Sequence, residues 1–452
     1  MAERYDVVVI GGGVAGLATA ALLARSGRHV IVLERGNQLG GRAYTYTDKG
    51  FTLNYGAHTI YRPHTGLLAQ VLKRLGRPAI EAPYPDPKRS YWSLDGRWGA
   101  LGAKPQDILT TPLFPLRSRL RLLPLLLSFR YSDPAKLGDL TFGEWLAQRT
   151  SDATVRRFGL AFATLNSYTR PAGDLSARFM LRHLQRTLFV KDYVGYMSGG
   201  WSMMYEAFAS ALRERGGEIA TGTAASRLLI EGGRAVAILA GDRRFEADAF
   251  VLTIPPQEAP GLAEPDSPLR QELERWHGLR DVRALCMDLG FSRRLRTDAT
   301  FIFDVPYDLY FSLHSEVTPD LAPEGGQLLH AMAYLSPEEA DDDWLQERRQ
   351  DELERGLDRH FAGWRESVVV ARRLPRARVT AVRQTPDQQG AARVPAKAQT
   401  TANLFFAGDA RDLPYNLTDI SLASALQVAD LVERQLAAPA TAAREAATAV
   451  AE

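Results

Sequence analysis

The first candidates for chemistry are glycines at fixed spacing. Gly11, Gly13 and Gly16 stand in the run Gly11-Gly12-Gly13-Val14-Ala15-Gly16, and Glu34 follows 18 residues after the last of them. Such a set suits a dinucleotide: Gly11 permits a tight turn, Gly13 lets the backbone approach a pyrophosphate, and Gly16 lets a helix pack closely on a strand. Free amides at the start of that helix, at Val14 and Ala15, would meet the negative phosphates. Glu34, with Arg35 beside it, is placed to accept hydrogen bonds from an adenosine ribose. An acid there favours an unphosphorylated 2′-hydroxyl, so FAD or NAD rather than NADP.

The elements that must hold these residues are legible around them. Tyr5-Asp6-Val7-Val8-Val9-Ile10 has the continuous apolar character of a buried strand. The stretch from Leu17 to Arg25 reads as a helix closed by Gly27, and His29 to Leu33 reads as a second strand ending at Glu34. A glycine motif flanked by strand and helix, with the acid at the right distance, is far more specific than the motif alone.

Further segments extend the pattern. Leu39-Gly40-Gly41-Arg42-Ala43 follows the second strand, and Gly50-Phe51-Thr52-Leu53-Asn54-Tyr55-Gly56-Ala57-His58 follows that. Met197-Ser198-Gly199-Gly200-Trp201 precedes a helix from Met203 to Arg215. Strands then run through Leu239, at Phe245 to Asp248 and from Val251 into Pro255-Pro256. Asn403-Leu404-Phe405-Phe406-Ala407-Gly408-Asp409 is a strand ending in a small residue, a glycine and an acid. Asp419-Ile420-Ser421-Leu422-Ala423-Ser424-Ala425 then opens a helix reaching about Leu436.

On these residues, in this order over nearly the whole chain, the sequence resembles the flavin amine oxidase and phytoene desaturase superfamily. The resemblance implies an α/β fold: a discontinuous FAD-binding Rossmann-like domain of three-layer ββα type, with an inserted α+β substrate domain. By motif placement the flavin domain takes residues 1–85, 190–265 and 395–437, the substrate domain takes 86–189 and 266–394, and 438–452 is a flexible tail. The resemblance further implies that Gly40, Gly41 and Arg42 contact the diphosphate, and that Gly56, Ala57 and His58 lie beside the isoalloxazine. Ala224 and Ala225 would meet the adenine through backbone groups. Gly408 and Asp409 would serve the ribityl and diphosphate region. The helix start at Asp419, Ile420 and Ser421 would stabilise charge at the flavin N1/O2 edge. Asn54 replaces the family's usual aspartate, and Ser421 and Ser424 replace its usual glycines. The family's cysteine linkage to flavin has no counterpart near the C-terminal motif, so the FAD is expected to be noncovalent; a histidine linkage at His58 stays open.

Flavin chemistry needs an oriented substrate, a dry pocket and sometimes a base. Many relatives carry a lysine that holds a water at flavin N5, yet no lysine occurs between Lys191 and Lys397, and the equivalent strand reads Arg283-Ala284-Leu285-Cys286-Met287. The expected function is therefore a desaturase or dehydrogenase of an apolar small molecule, isoprenoid or natural product, by hydride transfer to N5. Two alternatives stand beside it: an amine oxidase lacking the usual lysine, and a non-catalytic scaffold like the GDP-dissociation inhibitors. The intact Gly11/Gly13/Gly16 set, Glu34 and Asp409 argue against the scaffold. His58 is the candidate for substrate contact or acid–base work, against a structural hydrogen-bonding histidine. Tyr415 is the aromatic expected beside the ring. Arg411 and Asp412 are polar candidates, with loop salt bridges as their alternative role.

Composition narrows the class. A net charge of +2 over 452 residues, with no basic run among aromatics, gives no footprint for nucleic acid. The single cysteine, Cys286, excludes an internal disulfide and a cysteine-based metal cluster, and reads as a small buried hydrophobe. No metal site is expected. Val7–Ile10 is too short for a signal peptide, and no apolar run of about 18 residues would span a bilayer. A cytoplasmic location follows as the expectation. The stretch 109–129 is apolar, with Arg117, Arg119 and Arg121. It reads either as a wall of the substrate domain or as a peripheral membrane contact with its arginines toward anionic headgroups.

Overall fold

The computed structural model describes residues 3–56, 59–100, 107, 110–188 and 190–437. The chain begins with β1 (Glu3–Ile10), α1 (Val14–Arg25) and β2 (Val30–Leu33), followed by the hairpin β3 (Thr45–Asp48) and β4 (Phe51–Asn54), then β5 (Ile60–Tyr61) and α2 (Leu67–Leu75). It next forms β6 (Ser90–Leu94), β7 (Arg97–Ala100) and four helices: α3 (Leu116–Tyr131), α4 (Phe142–Arg149), α5 (Ala153–Ser167) and α6 (Ala177–Thr187). It returns through β8 (Val194–Gly195), α7 (Ser202–Arg213), β9 (Glu218–Ala220), β10 (Arg227–Glu231), β11 (Arg234–Ala240), β12 (Arg243–Leu252) and α8 (Pro268–Glu274). The second excursion holds β13 (Val282–Phe291), β14 (Phe301–Asp304), β15 (Leu309–Ser312), β16 (Gln327–Tyr334), α9 (Pro337–Asp341), α10 (Asp343–His360) and β17 (Val368–Thr380). β18 (Leu404–Phe406) and α11 (Leu417–Ala437) complete it.

The first sheet has the order β10-β11-β12-β1-β2-β9, with β18 also on β12. Val7 to Ile10 and Val30 to Leu33 are buried on both faces, which is why these strands are continuously apolar. One face packs Val7, Val9 and Val32 against Leu22 of α1, Phe208 and Leu212 of α7, and Val428 and Val432 of α11. The other packs Val8, Ile10 and Ile31 against Leu228 and Ile238 of the β10–β11 meander. The result is the three-layer α/β arrangement.

The second sheet has the order β17-β13-β16-β15-β14-β6-β7 and is antiparallel except where β14 runs parallel to β6. Leu285, Met287 and Leu289 pack with Leu353 and Leu357 of α10 on one side. Ala284, Cys286 and Met332 face the cluster built with α3 to α6 on the other. Asn54 ties the β3–β4 hairpin to the second sheet: its carbonyl accepts a hydrogen bond from Arg372 of β17, and Arg372 pairs with the fully buried Asp288 of β13. Burial opposes ionisation of Asp288, but His330 and Arg372 outweigh it and hold the carboxyl below its ordinary value.

Candidate flavin site

A cavity of about 1070 Å³ opens at the C-terminal ends of β1, β2 and β12 and continues to the face of the second sheet. Gly11, Gly13, Val14, Ala15, Glu34, Arg35, Gly40, Gly41, Arg42 and Gly56 line it, as do Ala224, Ala225, Gly408, Asp409 and Ser421. Residues from three widely separated stretches of chain thus share one space.

Each glycine of the first turn has its own constraint. Gly11 sits at φ +110°, where a side chain would be strained, and a Cβ on it would meet Thr253 Oγ1 at 2.6 Å. A Cβ on Gly16 would fall 2.0 Å from the Gly11 carbonyl oxygen, so Gly16 serves helix–strand packing and does not itself line the cavity. A Cβ on Gly13 meets nothing within 4 Å. Gly13 therefore keeps open a space that only a ligand would fill, and it caps α1 without any side-chain acceptor for the first amides. Those amides, beside the space that Gly13 leaves, fit a pyrophosphate.

Glu34 holds the turn shut from across the cavity: Oε2 accepts the Gly12 N–H at 2.6 Å and Oε1 the Gly36 N–H at 2.7 Å. Its remaining lone pairs are available to ribose hydroxyls. Arg35 pairs with Glu258 at 2.8 Å on the same rim. Arg42 and Asp409, expected to act separately on the cofactor, form a two-pronged ion pair with both N···O distances 2.7 Å. Asp409 Oδ2 also accepts the Ala381 N–H at 2.7 Å. Burial opposes ionisation of Asp409, but the Arg42 charge and these hydrogen bonds prevail and lower its pKa.

The departures from the family pattern have local explanations. Asn54 Oδ1 accepts the Thr45 hydroxyl and the Trp201 N–H, both at 3.0 Å, a task that an amide oxygen performs without charge. Ser424 is fully buried; its hydroxyl accepts the Gly408 N–H and donates to the Ser421 carbonyl, both at 2.8 Å. Serine thereby joins the loop after β18 to the first turns of α11.

The helix α11 begins two residues before Asp419, at Leu417, and this changes which residues face the cavity. Leu417, Thr418 and Ser421 line it, whereas Asp419 and Ile420 do not. Ile420 is buried in the helix packing. Asp419 is directed toward Arg186 and Arg62 instead. Its Oδ1 is shielded from solvent with no hydrogen-bond partner, and burial pushes its pKa up to about 7 against those two positive charges. Tyr415 is not on the lining either, because the Arg186 guanidinium covers its ring at 4.1 Å. Ala57 and His58 lie outside the described residues, although Gly56 and Thr59 on either side of them line the cavity. Arg411 does form a local contact, donating to Gln427 Oε1 at 2.9 Å, and it lines the far end of the cavity.

Sequence reasoning missed much of the remaining wall. Tyr55, Thr59, Tyr168, Cys286, Met332, Ala377 and Leu417 line the part that faces the second sheet. Cys286 and Met332 are neighbours across β13 and β16, a register that no local pattern discloses. Tyr168 is buried, and burial raises its phenol pKa, so it remains a protonated donor.

Comparison with known proteins agrees with this geometry. The model of the family described as flavin containing amine oxidoreductase matches residues 14–432. An all-trans-retinol 13,14-reductase of Macaca fascicularis is 41% identical over 70 residues, spanning 16% of this chain and only 12% of that protein. An (S)-6-hydroxynicotine oxidase of Paenarthrobacter nicotinovorans is 40% identical over 81 residues, 17% of this chain and 19% of its own length. Among solved structures, an oxidoreductase from Methanosarcina mazei superposes with a TM-score of 0.76 at 20% identity, covering 94% of this chain and 100% of that one. That likeness is one of fold. The glycine cradle, Glu34 and the buried Arg42–Asp409 pair suit the FAD that the family match implies, and the chain belongs to the flavin-containing amine oxidoreductase family.

Proposed function

We propose that the enzyme is a desaturase or dehydrogenase of an apolar substrate of isoprenoid or natural-product type. One observation carries the choice. Beyond the dinucleotide end, the described cavity wall includes Tyr55, Thr59, Tyr168, Cys286, Met332, Ala377 and Leu417, with no carboxylate to hold an ammonium. The cavity's acids are Glu34, Glu258 and Asp409, each engaged by backbone amides or a guanidinium. The cations on the wall are likewise paired, Arg283 and Arg378 with Asp281 and Arg376 with Asp343, so the wall presents no uncompensated charge to attract an ammonium. No described lysine lines the cavity. Short shared stretches with both a retinol reductase and a hydroxynicotine oxidase support the superfamily equally for either reading, so the proposal rests on the wall.

Bound FAD supplies a two-electron acceptor at N5, matched to hydride loss from a substrate C–H. The apolar wall would orient the hydrocarbon and exclude water, with the Tyr168 hydroxyl, kept protonated by burial and hydrogen-bonded to Thr59, as part of it. We assign His58, which falls between the lining residues Gly56 and Thr59 in sequence, to take the proton from the neighbouring carbon. His58→Ala should then slow substrate-driven flavin reduction by roughly a hundredfold with bound flavin unchanged; an unaltered rate would remove His58 from the mechanism.

The test of the class is reoxidation. The purified enzyme, photoreduced without oxygen, is expected to reoxidise slowly in air and quickly with a soluble quinone. Fast reoxidation in air with peroxide release would favour the amine oxidase reading instead.

A further inference from the structure

Helix α3 is apolar on two opposite faces, and among the described residues only one of them has a partner. Leu122, Leu125 and Phe129 are buried, with the Phe129 ring 5.6 Å from Trp145 and 6.2 Å from Phe142 of α4. On the outer face Leu116, Leu120, Leu127 and Tyr131 are 64%, 56%, 58% and 77% exposed. At 3.6 residues per turn these four fall within a stripe about 60° wide. Leu123, half-buried, and Pro124, exposed, continue its edges. A solvent-facing helix ordinarily turns charged residues outward, so a contiguous apolar stripe marks a contact surface.

The charges on α3 identify the occupant. Arg117 and Arg121 border the stripe on one side, Arg121 sharing its charge with Asp152 at 3.3 Å, and Arg119, which also donates to the Phe114 carbonyl at 2.7 Å, and Arg130 border it on the other; the helix itself carries no acid. Arginines flanking an apolar stripe on both sides suit a helix lying in the headgroup layer, its guanidiniums reaching anionic phosphates as its leucines enter the acyl chains. A second copy of the chain fits poorly, because a twofold contact through this face would set arginines against arginines. Spanning is excluded as well: 16 residues of helix reach roughly 24 Å, short of the hydrocarbon thickness. No described helix is long and apolar enough to cross a membrane.

We propose that α3 is a monotopic membrane anchor that docks the enzyme on an anionic bilayer through Leu116, Leu120, Leu127 and Tyr131. The inner face of α3 belongs to the same packed cluster as Tyr168, Cys286 and Met332 of the cavity wall, so docking brings the lipid surface against the substrate domain. The proposal is read by binding and not by turnover, and it stands whichever substrate the enzyme takes.

The test is flotation of the full-length, flavin-loaded protein with vesicles of phosphatidylcholine alone or mixed with phosphatidylglycerol, followed by flavin absorbance. The wild type is expected to float with the mixed vesicles and to be released by salt. The double substitution Leu120→Glu and Leu127→Glu should lower partitioning at least about tenfold. Arg117→Gln with Arg130→Gln should lower it roughly fivefold per arginine on the anionic vesicles. Unchanged visible spectra certify that the variants are folded; if the glutamate pair loses flavin, the glutamine pair decides alone. Wild-type protein that ignores the mixed vesicles, or variants that bind as it does, would overturn the proposal. So would a wild-type dimer that the glutamate pair dissociates without any vesicle binding, which would assign the face to a second copy.

Discussion

Gly13 and Gly16 differ in what forbids a side chain, and the difference is measurable. Gly16→Ala would drive a Cβ into the Gly11 carbonyl, so it should destabilise the protein by more than about 2 kcal/mol with or without flavin. Gly13→Ala meets no protein atom and has an extended backbone that alanine accepts, so the flavin-free protein should keep its Tm while flavin binding falls. Thermal melts of both variants with and without FAD check this; equal behaviour of the two would contradict it. Asp419 makes a second residue-scale case. Its pKa is raised by burial to about 7 from an ordinary 3.8, so the folded state favours the protonated acid. Stability from this group is therefore highest below the unfolded value, falls as pH rises between the two values, and is flat above the folded one. Asp419→Asn should match the wild type near pH 4 and exceed it by on the order of 2 kcal/mol at pH 8. Melts at both values check this, and no gain at pH 8 would contradict it. Residues such as Gly11 and Glu34 were legible because turn geometry and ribose spacing are local properties. Asp419 and Tyr415 were not, because the exact start and rotation of α11 decide which side chains reach the cavity, and packing sets both.

At the scale of elements, Ser424 couples β18 to α11. Ser424→Ala leaves the half-buried Gly408 N–H without its acceptor, which should cost about 1 kcal/mol and weaken flavin retention. A calorimetric melt and flavin-release assay that match the wild type would show that this joint is dispensable. β12 shows why element boundaries were harder to read than elements. The sequence suggests two strands, at Phe245 to Asp248 and from Val251, whereas the chain forms one, Arg243–Leu252. Its first half alternates charged and apolar residues because it pairs antiparallel with β11 with one side open. Its second half is wholly apolar because it is buried between β1 and β18. One strand thus carries two periodicities. In the stretch 109–129, Leu109 lies outside the described residues, and α3 puts one apolar face in the core, as a wall would, while its other apolar face meets solvent.

For the molecule as a whole, the FAD end was readable and the substrate end was not. The dinucleotide site uses turns and helix starts that occur in fixed order along the chain. The opposite wall is assembled from Tyr55 and Thr59, a helix-terminal tyrosine, three strands of the second sheet and the first residue of α11, which only tertiary pairing brings together. Asn54, Arg372 and Asp288 fasten that sheet to the flavin half, so the wall's chemistry is set by the fold and not by a motif. The central claim, that this wall accepts a hydrocarbon in preference to an amine, is tested most directly by anaerobic mixing. The flavin-loaded enzyme would be mixed with a micelle-dispersed isoprenoid hydrocarbon or with a primary amine, and loss of the visible flavin absorbance recorded. The account predicts bleaching by the hydrocarbon and none by the amine; bleaching by the amine alone would contradict it.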